Sequence, residues 1–258
     1  MAKNYRRAMM AIAMAALAEA AYAEAALAEA ASGGTESEVK GVRTLKLGPV
    51  NAYLVPARDG WILVDTGMDA KAKGLFAELK AAGLRPEAIR LVIVTHAHPD
   101  HSGGLAAVVQ ASGAKVLCGA EAAPYLAAGT SSPIVPRTRK GRFIQAISPE
   151  WKMRPVIADI VFTDEYDLST FGVAGKVVAT PGHSADSLSI LLDGGEAMIG
   201  DLVRPEKGAL SLGMFYDDEA ACIASLRAVI AARPRTVYLS HGGSTGAGNL
   251  ADFIEGRH

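Results

Sequence analysis

Residues 95–104, THAHPDHSGG, decide how the rest of the chain is read. They place His96, His98, Asp100 and His101 within one short segment. Imidazole nitrogens and a carboxylate oxygen are donors that suit zinc, whereas a polar turn capping a helix needs at most one of the four. The run before them, LVIV at 91–94, is continuous, branched and apolar, the pattern of a strand buried on both faces. Pro99, Gly103 and Gly104 resist a helix across the cluster, so the donors are expected on a loop leaving that strand. Alternate side chains of such a loop diverge toward two points. His96 and His98 then serve one metal, and Asp100 and His101 a second.

Four donors do not fill two sites, and the chain supplies more where further strands end. Residues 176–180 (KVVAT) run into Pro181, Gly182 and His183; residues 197–200 (AMIG) run into Asp201; residues 236–240 (TVYLS) run into His241. Five of the six histidines fall at these positions, leaving only His258 outside. Histidines scattered through a core would not partition in this way.

On these residues the chain resembles the metallo-β-lactamase fold superfamily. The five motifs of that family stand as Asp65-Thr66-Gly67 after a strand, His96-Ala97-His98-Pro99-Asp100-His101, His183 in TPGHS, Asp201 in IGD and His241 in SHGG. They occur in the family's order over residues 39 to about 250. The resemblance implies an α/β fold, the four-layer αββα sandwich. It also implies a dinuclear centre in which His96, His98 and His183 hold one divalent ion, Asp100, His101 and His241 the other, and Asp201 bridges both. Zinc is the expected metal, with iron or manganese as alternatives. Asp65 is expected to orient a ligand rather than bind metal, the other reading being a turn-forming Asp before Gly67.

Two such ions, about 3.5 to 4 Å apart, lower the pKa of a shared water from 15.7 toward roughly 7, which supplies a hydroxide nucleophile. Asp100 is expected to orient it or to shuttle a proton. The expected activity is therefore hydrolysis of an ester-like bond in a small molecule: a lactone, thioester, phosphoester or phosphonate. Asp201 is generally absent from the β-lactam-cleaving branches, so the resemblance runs nearest to the lactonase and glyoxalase II-like hydrolases, with β-lactamase-like activity a lesser alternative. Two rivals come from other classes. Two histidines and one carboxylate can hold a single iron, as in persulfide dioxygenases, and a structural metal could serve an assembly module. Structural zinc sites, however, are usually closed and Cys-rich. Arg204 stands three residues beyond Asp201, where the lactonase branch has a tyrosine on the substrate carbonyl. A guanidinium there suits an anionic or strongly polarised substrate group, the alternative being a surface arginine paired with Glu206 or another acid.

Composition agrees with a small-molecule enzyme. Of 258 residues half are hydrophobic and 21% charged, enough to bury a large core. A formal net charge of −1 offers no broad basic field for nucleic acid. Cys118 and Cys222 lack CxxC spacing and read as buried small hydrophobes. Homo-oligomerisation is left open.

The ends read as additions to a domain at 35–253. Residues 1–34 form an Ala-rich helical appendage in which LAEAA, YAEAA and LAEAA repeat from Leu17, a five-residue period that makes no single apolar stripe. Lys3, Arg6 and Arg7 before an apolar run also resemble a secretory signal, which would export the protein, but Glu19, Glu24 and Glu29 favour a retained helix or engineered spacer and a cytoplasmic location. The run is too short to span a bilayer, so no stable membrane insertion is expected. At the other end, Ile254-Glu255-Gly256-Arg257 spells a processing-protease recognition sequence, and residues 254–258 read as a tag remnant.

Between these ends, strands at 39–47, 51–55 and 61–65 give an antiparallel start, followed by a helix at 70–82, the strand before the metal motif and a helix at 104–111. A second set follows: strands at 176–180, 187–192 and 197–200, a helix at 218–232 and a strand at 236–240. Residues 129–160 break this rhythm with Pro133, Pro136, Pro149 and Pro155 among Arg137, Arg139, Lys140 and Arg142. No periodic element is expected there. The stretch is either a substrate lid with Phe143, Ile144, Ile147, Trp151 and Met153 on its inner face, or a solvated loop anchored by them.

Overall fold

The computed structural model describes residues 41–148 and 151–257. The Ala-rich appendage at 1–34 lies outside them. Strands β1 (Arg43–Leu47), β2 (Val50–Ala57), β3 (Gly60–Val64), β4 (Ile89–Ile93), β5 (Lys115–Gly119) and β6 (Ile160–Phe162) form one sheet in sequence order. Its first three strands are antiparallel. From β3 to β6 they are parallel, with helices α1 (Lys73–Ala81), α3 (Leu105–Ser112) and α4 (Ala123–Ala128) in the crossovers. The second sheet takes β7 (Glu165–Asp167), β8 (Gly175–Ala179), β9 (Leu188–Leu192), β10 (Glu196–Met198), β13 (Thr236–Tyr238) and β14 (Ser244–Thr245), in the order β14-β13-β10-β9-β8-β7. Helix α6 (Glu219–Ala231) joins the parallel pair β10 and β13, and α7 (Ala247–Glu255) follows β14.

Strand periodicity accounts for the layering. Successive side chains of a strand point to opposite faces, and here both faces are apolar. Ala52 and Leu54, Val92 and Val94, and Val116 and Cys118 pack with Leu75, Leu79, Leu105 and Val108 of the helices. Their neighbours Tyr53, Val55, Leu91, Ile93 and Leu117 turn the other way and meet Ile190, Met198 and Tyr238 of the second sheet. On that sheet's far face Ala197 and Val237 pack with Leu226, Val229 and Leu250 of α6 and α7. Three apolar layers between four layers of secondary structure are the αββα sandwich. Each fully buried Leu or Ile stabilises it by roughly 1.5–3 kcal/mol.

Parallel β3 and β4 leave their sheet at one edge, toward Asp65 and His96. Strands β8, β10 and β13 run in a common direction and release His183, Asp201 and His241 together. The ladders of β10 and β13 stop at Met198 and Tyr238, three residues before the donors, rather than running to 200 and 240 as read from the apolar runs. Freed backbone lets Asp201 and His241 turn out of the sheet plane.

Three sequence expectations need correction. Asp100 and His101 do not lie on a loop but in a one-turn helix, α2 (Pro99–Ser102), because proline at the first helical position costs no hydrogen bond and its fixed φ suits the turn. The stretch 129–160 does hold a periodic element. Helix α5 (Arg139–Ile147) begins where the Thr138 hydroxyl accepts the Gly141 N–H at 2.9 Å, in a window free of proline. A hairpin of β11 (Arg204–Glu206) and β12 (Ala209–Ser211), unpredicted, follows the Asp201 loop. Past residue 253, Ile254 is buried in α7 with Leu250, and Arg257 pairs with Glu219. Both cysteines are free and buried as expected, and burial pushes their thiols up to about 12. Among the described residues no helix is long and apolar enough to cross a membrane.

Candidate metal centre

The seven expected ligands come together in two donor groups, His96-His98-His183 and Asp100-His101-Asp201-His241, whose ligand atoms lie within 4.8 Å of one another in each. In the first, His98 Nδ1 and His183 Nε2 face each other at 3.1 Å. In the second, His241 Nε2 is 3.1 Å from Asp201 Oδ2 and 3.3 Å from Asp100 Oδ2, and His101 Nε2 is 3.5 Å from Asp201 Oδ1. Asp201 Oδ2 also lies 3.8 Å from His183 Nε2, so this carboxylate faces both groups.

Four of the five imidazoles have their distal nitrogen engaged, which fixes the tautomer and leaves the other lone pair for an ion. Asp65 is the centre of this support. Its Oδ1 accepts the Thr95 N–H at 2.8 Å, and its Oδ2 accepts the Thr95 hydroxyl at 2.8 Å and the His101 Nδ1–H at 2.8 Å. Having donated its proton to Asp65, the Thr95 hydroxyl accepts from His96 Nδ1–H at 3.1 Å. His98 Nε2–H donates to the Pro133 carbonyl at 3.1 Å, and His241 Nδ1–H to the Pro49 carbonyl at 2.7 Å. His183 differs: its Nδ1 is buried without a partner. Its position comes instead from Gly182, where φ is +141° and a Cβ would stand 2.3 Å from the Cys222 N, so only glycine lets α6 pack this close behind the ligand.

The donors fit a pair of cations. His96 Nε2, His101 Nε2 and Asp201 Oδ1 are buried without a hydrogen-bond partner, each at a cost of about 1–3 kcal/mol unless a cation takes the lone pair. Electrostatics divides the groups. Burial holds His96 well below its ordinary value, helped by His101 and His98, and burial brings His183 down to about 4, so these two ligands of the first group present neutral imidazoles. In the second, burial opposes the charge on His101, yet Asp100, Asp201 and Asp65 raise it well above the usual range. Asp201 acts likewise on His241, raised to about 9. Burial similarly works against ionised Asp100 and Asp201, and the two imidazoliums overcome it, holding both carboxyls low. Those protons occupy the place of positive charge that a metal would take.

Sequence reasoning missed Thr95, the Pro133 and Pro49 carbonyls, and Asp186, whose Oδ2 accepts the Ala97 N–H at 2.6 Å and so ties the His96–His98 segment to the His183 loop. Backbone carbonyls carry no residue signal, and a lone Asp has no diagnostic spacing. Asn51 was missed as well: its amide donates to the Leu239 carbonyl at 3.1 Å and the Gly242 carbonyl at 2.5 Å, bracketing His241.

Above the donors lies a cavity of about 730 Å³ lined by His98, Asp100, His183, Asp201 and His241 below and by residues of 130–152 and 204–215 at the sides. The 129–160 stretch is its wall, not a free loop. Val135 accepts the Tyr216 N–H, Arg137 N–H donates to Met214, and the Arg137 guanidinium reaches the Tyr216 and Asp217 carbonyls. Ile144 and Trp151 line the cavity, whereas Phe143 is 62% exposed on the outer side. Arg204 also lines it, and among the described residues it makes no ion pair with Glu206 or any other acid.

Comparison with known proteins agrees with this architecture: the model of the metallo-beta-lactamase superfamily matches residues 45–241. The chain belongs to that superfamily. Among superfamily relatives, the Beta-lactamase-like protein 2 homolog of Drosophila melanogaster is 26% identical over 193 residues, 74% of this chain but 58% of that protein. A hydroxyacylglutathione hydrolase of Anaeromyxobacter dehalogenans is 46% identical over a shorter stretch of 74 residues, 28% of this chain and 27% of that protein. An archaeal metallo-beta-lactamase superfamily protein from Sulfolobus tokodaii superposes with a TM-score of 0.62 at 20% identity, over 84% of this chain and 85% of that one.

Proposed function

We propose that the protein is a dinuclear, zinc-dependent hydrolase of an ester-like bond, with lactones and thioesters foremost and phosphoesters and phosphonates next. The observation that carries this is Asp201, placed between two donor groups with unpaired buried ligand atoms at the floor of a roomy cavity. Two divalent cations bound there supply Lewis acidity, bringing the pKa of water from 15.7 toward about 7 and polarising the scissile oxygen. The chain does the rest. Asp65 and Thr95 hold His101 and His96 in one tautomer, and Pro133 and Pro49 do so for His98 and His241. Asp100, kept ionised by His101 and His241 and open to the cavity, accepts a proton from the attacking water at its carboxylate and returns it to the leaving group. Arg204 meets the substrate from the wall. The named activity of the Anaeromyxobacter relative, cleavage of a glutathione thioester, supports the thioester class.

A panel of a lactone, a glutathione thioester, a phosphodiester, a phosphonate ester and a β-lactam, assayed after loading with zinc, manganese or iron, tests the reading. Chelator-sensitive turnover of one ester class with two metals bound per chain is expected. Stoichiometric iron with oxygen uptake on a persulfide would replace the hydrolase with an oxidoreductase.

A further inference from the structure

The wall of the cavity combines two features that the metal centre does not use. The first is an apolar shelf: Ile134, Ile144, Trp151, Leu212 and Phe215 all line the same space as the metal donors. The second is positive charge. Arg204 and Lys152 line that space too, and among the described residues neither has an ion-pair partner. The carboxylates of the lining, Asp100 and Asp201, are turned to His101 and His241. Arg204 is seated by design of the backbone: Gly213, at φ +76°, leaves the room its stem fills, since a Cβ there would stand 2.9 Å from the Arg204 Cδ. Beyond the lining, residues 129–158 hold six cationic residues against one acid, Glu150, in a chain whose net charge is −1. Arg139, Lys140 and Arg142 are exposed on α5, the helix that gives Ile144 and Gln145 to the cavity. Such a local excess draws anions toward the opening, and a planar guanidinium fork suits carboxylate, phosphoryl or sulfonyl oxygens.

We propose that the cavity selects an anionic amphiphile, an acyl compound whose apolar part lies on the Ile144–Trp151 shelf and whose anionic group is taken by Arg204 and Lys152. That the compound is acyl rests on the hydrolase reading; its charge and its apolar part rest on the wall alone. The two are separated by measuring binding without turnover. Octanesulfonate and octyl methyl sulfone share one chain and differ in charge, and their affinities for the protein as purified are read by calorimetry at low and high salt. The sulfonate is expected to bind at least about tenfold more tightly, the scale of a charge-assisted hydrogen bond, with the advantage shrinking as salt rises. The double variant Arg204→Gln with Lys152→Gln removes the advantage and leaves sulfone binding unchanged, whereas Ile144→Ala weakens both probes alike. Thermal melts matching the parent show that each variant is folded. Equal affinities for the two probes, absence of binding by both, or an advantage that survives the double variant would overturn the proposal, the last by placing the anion on the metals. Sulfonate selectivity together with a silent hydrolysis panel would reject the hydrolase and leave the anion site standing.

Discussion

The floor of the cavity is nearly closed to solvent, with His96 0% exposed and His98, His183 and His241 between 5% and 8%, whereas on its rim Trp151 is 40% and Met68 44% exposed. The floor is held from both sheets at once, through Asp65 and Thr95 on one side and the 239–242 loop on the other. The wall is held mostly by backbone: 135–137 pair with 214–216, Met153 N–H donates to the Gly129 carbonyl, and the Thr138 hydroxyl caps α5. The two regions differ in burial and in what holds them, and substitutions in the two should fail in different ways.

The sharpest break is in the floor. Asp201→Ala should lower kcat by orders of magnitude and reduce bound metal from two ions toward one, and His98→Ala should act alike because water activation depends on both ions. Metal analysis beside steady-state kinetics checks this; parental activity with full metal content would remove the dinuclear assignment. Stripping the metal with a chelator should abolish turnover as well, yet leave the far-ultraviolet circular dichroism unchanged with a lowered Tm, since three apolar layers hold the sheets. Collapse of the spectrum would mean that the metal is structural.

Asp65→Asn should fall next. The amide keeps the shape but cannot accept three hydrogen bonds, so metal affinity should drop by roughly 10–100-fold, measured by competition with a chromophoric chelator. In the wall the effects are smaller and of another kind. Thr138→Ala removes the α5 cap and should cost about 1 kcal/mol, seen as faster proteolysis within 139–147 with metal content unchanged. Ile144→Ala should raise KM several-fold for the best substrate and spare kcat; a matching fall in kcat would show that the wall also positions the reacting bond.

Legibility in the sequence follows the same division. Metal chemistry demands particular side chains, so the floor could be read residue by residue, from His96 to His241. The buried strand at 91–94 was legible because both faces are apolar and no polar residue interrupts it. The wall was not. Helix α5 is short, exposed and bounded by prolines that read as loop, and the β11–β12 hairpin is too brief to show a period. Ile254 was hidden by a tetrapeptide that resembles a protease site, although its burial beside Leu250 follows from four-residue helical spacing. The supporting carbonyls of Pro49 and Pro133 are defined by geometry alone.

The bonds from Asn51 to the 239–242 loop have a consequence for how the molecule is made. They join points 188 residues apart, and the donor groups themselves unite segments 96–101, 183 and 201–241. Closing loops of that length is entropically costly, and because the donors come from both halves neither half of the chain alone can assemble the site. Mixing two separately produced halves, split in the exposed stretch before β7, should therefore restore zinc uptake and sheet pairing in a single step.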